Sequence, residues 1–364
     1  MARNLRIAGY LLFLVLLAEL TAQAAIWITS GTAPFADRSE QQGMFIPHPY
    51  LVGVPRPGTS VKKAGVTISS DSLGFRGRDF AWARKDSVLR VLALGGSTTF
   101  GATVSDADTW PIRLDAALDS MLALRVSAFK SAEVINGGVP GYTSAENLIQ
   151  LALIGVHLHP DVVVLFQGYN DIRNSHSPGL RTDYSNFHAI SQRGNLELDR
   201  LRWGMRSGLV RLSRAAISRV FGRERSGIVS APRRSGMDSK ALDIYRTNLR
   251  TFAGMCQSHG IRCLFVPQVV TRAHKVNEWW LLYLEPAAVE PTLALYNQAM
   301  QEVAVATATP FASVVEETPW SSADFRDHAH FNPAGNRKFA AMIALQLLNI
   351  AVQRDRGAAE SGSR

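Results

Sequence analysis

Residues 88–101 read VLRVLALGGSTTFG. Val88 to Leu94 is apolar apart from Arg90, the pattern of a strand buried on both faces. Gly95 and Gly96 follow at once, then Ser97. A buried strand that stops on small residues puts Ser97 on a tight turn at the strand's carboxyl end, where a ligand can approach its hydroxyl closely. Two plainer readings of the turn stand beside the nucleophilic one: a simple Gly-rich turn, or a loop that cradles phosphate. No GK[ST] follows, which argues against a Walker-type loop.

Outward from this strand the chain alternates. Trp110 to Leu124 has helical spacing, Glu133 to Asn136 is a short strand, and Ser144 to His157 is helical. Asp161 to Phe166 (DVVVLF) is a second buried strand. Ala241 to His259 is helical, Cys263 to Pro267 a strand, Glu290 to Ala306 helical, Phe311 to Val315 a short strand, and Asn332 to Gln353 the last helix. Such alternation predicts a parallel sheet covered on both faces and, with right-handed crossovers, a doubly wound domain over residues 88–353. Ligands bind such sheets at the carboxyl ends of the strands. Residues 29–87 are rich in Gly, Pro and Ser and read as an extension of loops and small strands, with LGFRG (Leu73 to Gly77) as a compact turn. Residues 354–364 read as a disordered tail.

Three further segments fall on the same edge. NGGVPGYTS, Asn136 to Ser144, carries glycines whose backbone N–H groups are exposable; the plain reading is a turn before a helix. GYND, Gly168 to Asp171, offers an Asn amide as a donor to an oxyanion, against a helix cap or turn. DHAH, Asp327 to His330, precedes the last helix, and an Asp three residues before a His can turn back onto the ring. The plain reading there is a helix-start Asp and a surface His. His328 and His330 also form an HxH pair, but no other His/Asp cluster supports a metal, so none is expected.

With these residues in order, the chain resembles the SGNH hydrolases, the GDSL-like esterase and acyltransferase superfamily, over roughly Val88 to Asp171 and Ala241 to Gln353. The resemblance implies a flavodoxin-like three-layer α/β/α sandwich. It carries the four namesake residues to Ser97, Gly138, Asn170 and His330, and the triad acid to Asp327. Gly138 rather than Gly137 follows from the spacing before Val139. The triplet usually written GDS is GGS here, with Gly96 in place of an Asp that is not the catalytic acid. The chemistry implied is acyl transfer through an acyl-serine. Ser97 attacks, His330 takes its proton, and Asp327 orients the imidazole. Ser97, Gly138 and Asn170 bind the oxyanion, and no cofactor is needed. The substrate class implied is an acyl ester, of a carbohydrate or a lipid, with hydrolysis or O-acyl transfer as the outcome. LGFRG and the N-terminal apolar segment look like a cell-envelope branch of the family. The competing readings are a catalytically idle SGNH-like domain that binds polysaccharide or scaffolds an envelope assembly, and a flavodoxin-like nucleotide binder.

Hydrophobic residues make up 46% and charged residues 19% of the 364, which excludes a mostly disordered chain and a coiled coil. The +9 net charge is local: residues 173–240 hold 14 Lys/Arg and 5 Asp/Glu, and the remainder balances. This window is too long for an ordinary loop and reads as an insertion. Within residues 200–223, Leu201, Met205, Leu209, Leu212, Ala216 and Val220 recur at three- and four-residue spacing, among Arg200, Arg202, Arg206, Arg211, Arg214 and Arg219. This basic amphipathic helix suits an anionic membrane surface, or else packs on its own domain with a solvated Arg face. No nucleic-acid recognition motif is present, so no nucleic acid is expected as a partner.

At the N-terminus Arg3 and Arg6 precede the apolar run Ile7 to Ala18, and small residues stand at Ala22 and Ala24. Residues 1–28 therefore read as a signal peptide, or, since apolar character continues to Ile28, as a retained membrane anchor, with Glu19 inside the span or near its outer face. Both readings place the enzyme outside the cytoplasm, anchored or secreted. Cys256 and Cys263, in CQSHGIRC, are expected as two buried free thiols rather than a disulfide.

Overall fold

The computed structural model describes residues 2–30, 34–35, 44–46, 48–63, 65–125, 127–183, 206–220, 232–276, 283–315 and 319–361. The chain forms two compact units, residues 1–47 with 188–229, and residues 48–187 with 230–364.

In the larger unit four strands, β1 (Val88–Gly95), β2 (Ser131–Asn136), β3 (Val162–Gln167) and β4 (Arg262–Pro267), make one parallel sheet in the order β2-β1-β3-β4. Val91 lies between Val134 and Val162, and Phe166 pairs with Val266. The helices, in chain order through the protein, are α1 (Ala2–Ser30), α2 (Ser97–Phe100), α3 (Trp110–Ala123), α4 (Ser144–Leu153), α5 (Tyr169–Ser175), α6 (Gly208–Val220), α7 (Ser239–Ser258), α8 (Val289–Ala306) and α9 (Pro333–Ser361). Strand residues alternate between two cores. Leu92, Leu94, Leu165 and Phe265 pack with Phe252 of α7 and Tyr296 of α8. Val91, Ala93, Phe166 and Val266 pack with Leu114 of α3 and Phe339 of α9. Burial of each such side chain is worth roughly 1.5–3 kcal/mol, so both sheet faces must be covered, and the expected three-layer α/β/α sandwich results. The chain leaves β1 for β2 on one side and returns to β3 on the other, so the crevice at their carboxyl ends is the place for a ligand.

Arg90, inside β1, is almost fully buried. Its guanidinium donates to the carbonyls of Trp82 and Leu158 at 3.0 and 2.8 Å and pairs with Glu133 at 2.8 Å. These partners let a cation sit in an apolar strand, since an unpaired buried charge would be costly.

Three expectations are corrected. Phe311 to Val315 forms no strand; a single parallel bridge joins Phe311 to Phe265. Val314 N–H turns back onto Ala312 O at 2.8 Å, so the pairing stops. The last helix does not stop at Gln353 but spans Pro333–Ser361; Arg, Ala and Glu beyond Gln353 favour a helix. Cys256 and Cys263 are not free thiols but a disulfide. The turn at Ser258 to Ile261 reverses the chain between α7 and β4 and sets the two Cα atoms 6.3 Å apart, within bonding range.

The smaller unit contains α1 and α6. Ala2–Thr29 contains an 18-residue stretch with a mean hydropathy of 2.1 and is long and apolar enough to cross a membrane. Helix α6 realises the latter part of the basic amphipathic segment; residues 200–205 and 221–223 of it lie outside the described residues.

Candidate active site

Gly95 ends β1, and Ser97 opens the four-residue helix α2. The turn is crowded: a Cβ on Gly95 would lie 2.5 Å from Phe166 O and 2.2 Å from Thr99 Oγ1. A Cβ on Gly96 would lie 2.3 Å from Asn170 Nδ2. The glycines therefore let the serine turn close against β3 and α5.

Ser97 Oγ is 2.7 Å from His330 Nε2. His330 Nδ1 lies 2.8 Å from Asp327 Oδ2 and 2.9 Å from Oδ1. Asp327 Oδ1 also accepts the N–H groups of Ala329 and His330 at 3.0 and 2.9 Å, so the acid is fixed by the turn it begins. Partial burial pushes the Asp327 carboxyl up; hydrogen bonds and charge from His330, with the two backbone N–H groups, outweigh it and hold the pKa at about 2.

Asn170 Nδ2 donates to Tyr142 O at 2.7 Å, using one of its two amide hydrogens. Gln167 Nε2 donates to the same carbonyl at 2.7 Å, so the loop after β2 is tied to β3 and α5. Asp171, the acid of GYND, turns away from the serine: it accepts from Ser144 N and Oγ at 3.1 and 2.5 Å. Its burial pushes its pKa up to about 7, against the pull of the Ser144 and Gln167 hydrogen bonds.

A cavity of about 270 Å³ opens over Ser97, lined also by Gly141, Asn170, Gln268, His328 and His330. Gly138 does not line it. Gly138 N–H donates to Asn136 Oδ1 at 3.0 Å, and a Cβ there would strike Phe100 N at 2.3 Å. The glycine at the cavity is Gly141, at φ +86°, in the left-handed region that favours glycine. The loop carries three glycines in six residues, and only the tertiary partner of each N–H separates them.

Two more residues were missed in the sequence as parts of the site. Arg76, of the LGFRG turn, is buried and reaches the chain just beyond Ser97. Its Nε donates to Phe100 O at 3.2 Å and Nη2 to Val104 O at 3.0 Å, and Nη1 pairs with Asp106 at 2.7 Å. His328 is 3% exposed, and its Nδ1 bonds Thr271 O at 2.8 Å. That bond places the proton on Nδ1 and leaves Nε2 an acceptor, without a hydrogen-bond partner among the described residues. The signal for it was present in DHAH as the second histidine.

Residues 93–338 match the GDSL-like lipase/acylhydrolase family, more than half of the chain. The chain belongs to that family. It is an esterase of the SGNH type, acting on acyl esters. No curated protein matches it. Among solved structures, a lipase/acylhydrolase from Enterococcus faecalis is similar at 16% identity and a TM-score of 0.42, over 71% of this chain and 94% of that one. The acetyl xylan esterase AlAXEase is similar at 14% identity and a TM-score of 0.41, over 70% and 97%. Axe2, an acetylxylan esterase from Geobacillus stearothermophilus, is similar at 14% identity and a TM-score of 0.40, over 70% and 91%. Among the described residues of this family member, no group of three His, Cys, Asp or Glu is placed to hold a metal ion.

Proposed function

We propose that this esterase removes acyl groups from a hydroxyl-rich, carbohydrate-type ester outside the cytoplasm, through an acyl-Ser97 intermediate. The 2.7 Å contact between Ser97 Oγ and His330 Nε2, with Asp327 on the far side of the ring, carries the reading. As Oγ attacks the ester carbonyl, His330 takes its proton at Nε2 and then returns it to the leaving alcohol. Asp327, ionised, holds the Nδ1–H tautomer and stabilises the imidazolium. The oxyanion is received by Ser97 N–H at the open first turn of α2, the second amide hydrogen of Asn170, and Gly141 N–H in place of Gly138. Water then attacks the acyl-serine with His330 as base, releasing the acid and restoring Oγ–H. With a sugar hydroxyl as acceptor the same steps give O-acyl transfer.

The hydroxyl-rich substrate is supported by His328, a polar ring that lines the serine cavity beside Gln268. Gln268 is common to the serine cavity and to an open groove of about 930 Å³ that also carries Asn297, Gln298, Gln301 and Trp320, amide and aromatic groups suited to sugars. Location outside the cytoplasm is supported by the apolar N-terminal helix and by the Cys256–Cys263 disulfide, a bond that persists in oxidising compartments.

The test is intact-mass labelling of the detergent-solubilised full chain with a fluorophosphonate, beside Ser97→Ala. One adduct on the parent and none on the variant is expected. A folded parent that takes no adduct would overturn the nucleophile and favour the binding-domain alternative.

A further inference from the structure

Glu19 is the one acidic residue in the apolar N-terminal helix, and it is engaged. Its carboxylate accepts from Ser207 Oγ at 2.7 Å, Gly208 N–H at 2.6 Å and Leu209 N–H at 3.1 Å. Those are the first donors of α6, so a residue nearly 190 positions away in sequence caps that helix. One turn on, Gln23 Nε2 donates to Arg206 O at 2.6 Å, while its Oε1 accepts Phe35 N–H at 3.1 Å. Gly208 lies directly on α1: a Cβ there would be 3.0 Å from Ala22 Cβ and 2.9 Å from Gln23 N. Ala22, Gln23 and Ile26 are buried, whereas Leu11 to Leu17 are all exposed.

We propose that residues 1–28 are a retained anchor rather than a cleaved signal, and that α6 is docked on its outer end as a second membrane element lying in the outer leaflet. A cut after Ala24 would remove Glu19, Ala22 and Gln23, and with them the cap and packing surface of α6. Ile7 to Ile28 is about 33 Å of helix at 1.5 Å per residue, matching a hydrocarbon core of about 30 Å. Glu19 lies about 18 Å along it, in the outer half. A bare carboxylate at that depth would be expensive; one accepting three hydrogen bonds from α6 enters with its lone pairs engaged. Leu209, Leu212 and Ile217 of α6 are exposed, as are the apolar residues Leu11 to Leu17 of α1. Arg206, exposed just ahead of α6, has a side chain long enough to snorkel toward lipid phosphates. The occupant of this surface is therefore the bilayer. The inference does not depend on the catalytic proposal.

The test uses the full chain, tagged at its C-terminus and exported in a bacterial host. Carbonate-washed membranes should yield an intact mass that includes residues 2–28. Ala22→Cys with Gly208→Cys should cross-link on mild oxidation, seen as a mobility shift reversed by thiol, while Leu11→Cys with Gly208→Cys, about 16 Å farther along the helix, should not. Adding Glu19→Ala should slow the cross-link about fivefold, the loss of a helix cap. A released chain beginning at Ala25 would overturn the anchor. A retained chain whose 22–208 pair links no faster than the 11–208 pair would overturn the docked helix. Esterase activity is assayed in parallel, and its loss or survival bears on neither outcome.

Discussion

Asn170 Nδ2 occupies the space that any side chain on Gly96 would need, 2.3 Å from where a Cβ would stand. The amide that is proposed to bind the oxyanion thus sits where it does because residue 96 is glycine. Gly96→Ala should displace the amide and lower kcat toward the level of Asn170→Ala, about 10²–10³-fold below the parent, with the circular dichroism spectrum kept. The two changes should not add, since both remove one donor. A double variant much slower than either single one would show that Gly96 acts elsewhere.

His328 lines the serine cavity, where the proposed carbohydrate-type substrate would meet its ring. His328→Phe should raise KM about tenfold for an acetylated oligosaccharide, the worth of one hydrogen bond, while turnover of a small aryl acetate and fluorophosphonate labelling of Ser97 change little. Equal losses on both substrates would assign His328 to the fold alone.

The Asp327 carboxyl has its pKa lowered from 3.8 to about 2 in the folded chain. An acid with a depressed pKa stabilises the fold above its unfolded value and loses that contribution as pH falls through the folded one. The stability gap between the parent and Asp327→Asn should therefore be constant above about pH 5 and close between about pH 4 and 2. Denaturant midpoints of both proteins across that range measure it. A gap that persists at pH 2 would show that the loss in the variant is steric.

Cys256 and Cys263 close a loop seven residues apart in sequence. The chain-entropy estimate for so short a loop is about 2–3 kcal/mol. Cys256→Ala with Cys263→Ala should lower the unfolding free energy by about that amount and leave kcat unchanged, because the pair lies at the amino end of β4, opposite the serine. Equal stability of parent and double variant would mean the bond adds only redundancy.

What the sequence revealed depended on whether a signal was local. Val88 to Gly101 contains its own strand and turn with the serine proposed as nucleophile, and Asp327 and His330 are three residues apart, so their juxtaposition with Ser97 could be expected from the sequence. The proposed preference for Gly141 over Gly138 was not legible, because it turns on the Asn136 side chain accepting the Gly138 N–H. The disulfide was missed because its formation depends on the turn at Ser258 to Ile261 bringing a helix end beside a strand start. The partner of Glu19 was not legible because the helix it caps lies nearly 190 residues downstream.

Arg76 lies before the stretch that matches the family, which begins at residue 93, yet its guanidinium holds the carbonyls of Phe100 and Val104. Its backbone N–H also bonds Asn136 O at 3.0 Å, reaching the glycine loop from the same position. The catalytic module is accordingly larger than its family signature. A chimera or minimal enzyme that begins at the first strand of the sheet would inherit all the reacting groups but lose the clasp that keeps two of their loops in register. Grafts from this esterase should carry the LGFRG turn with them.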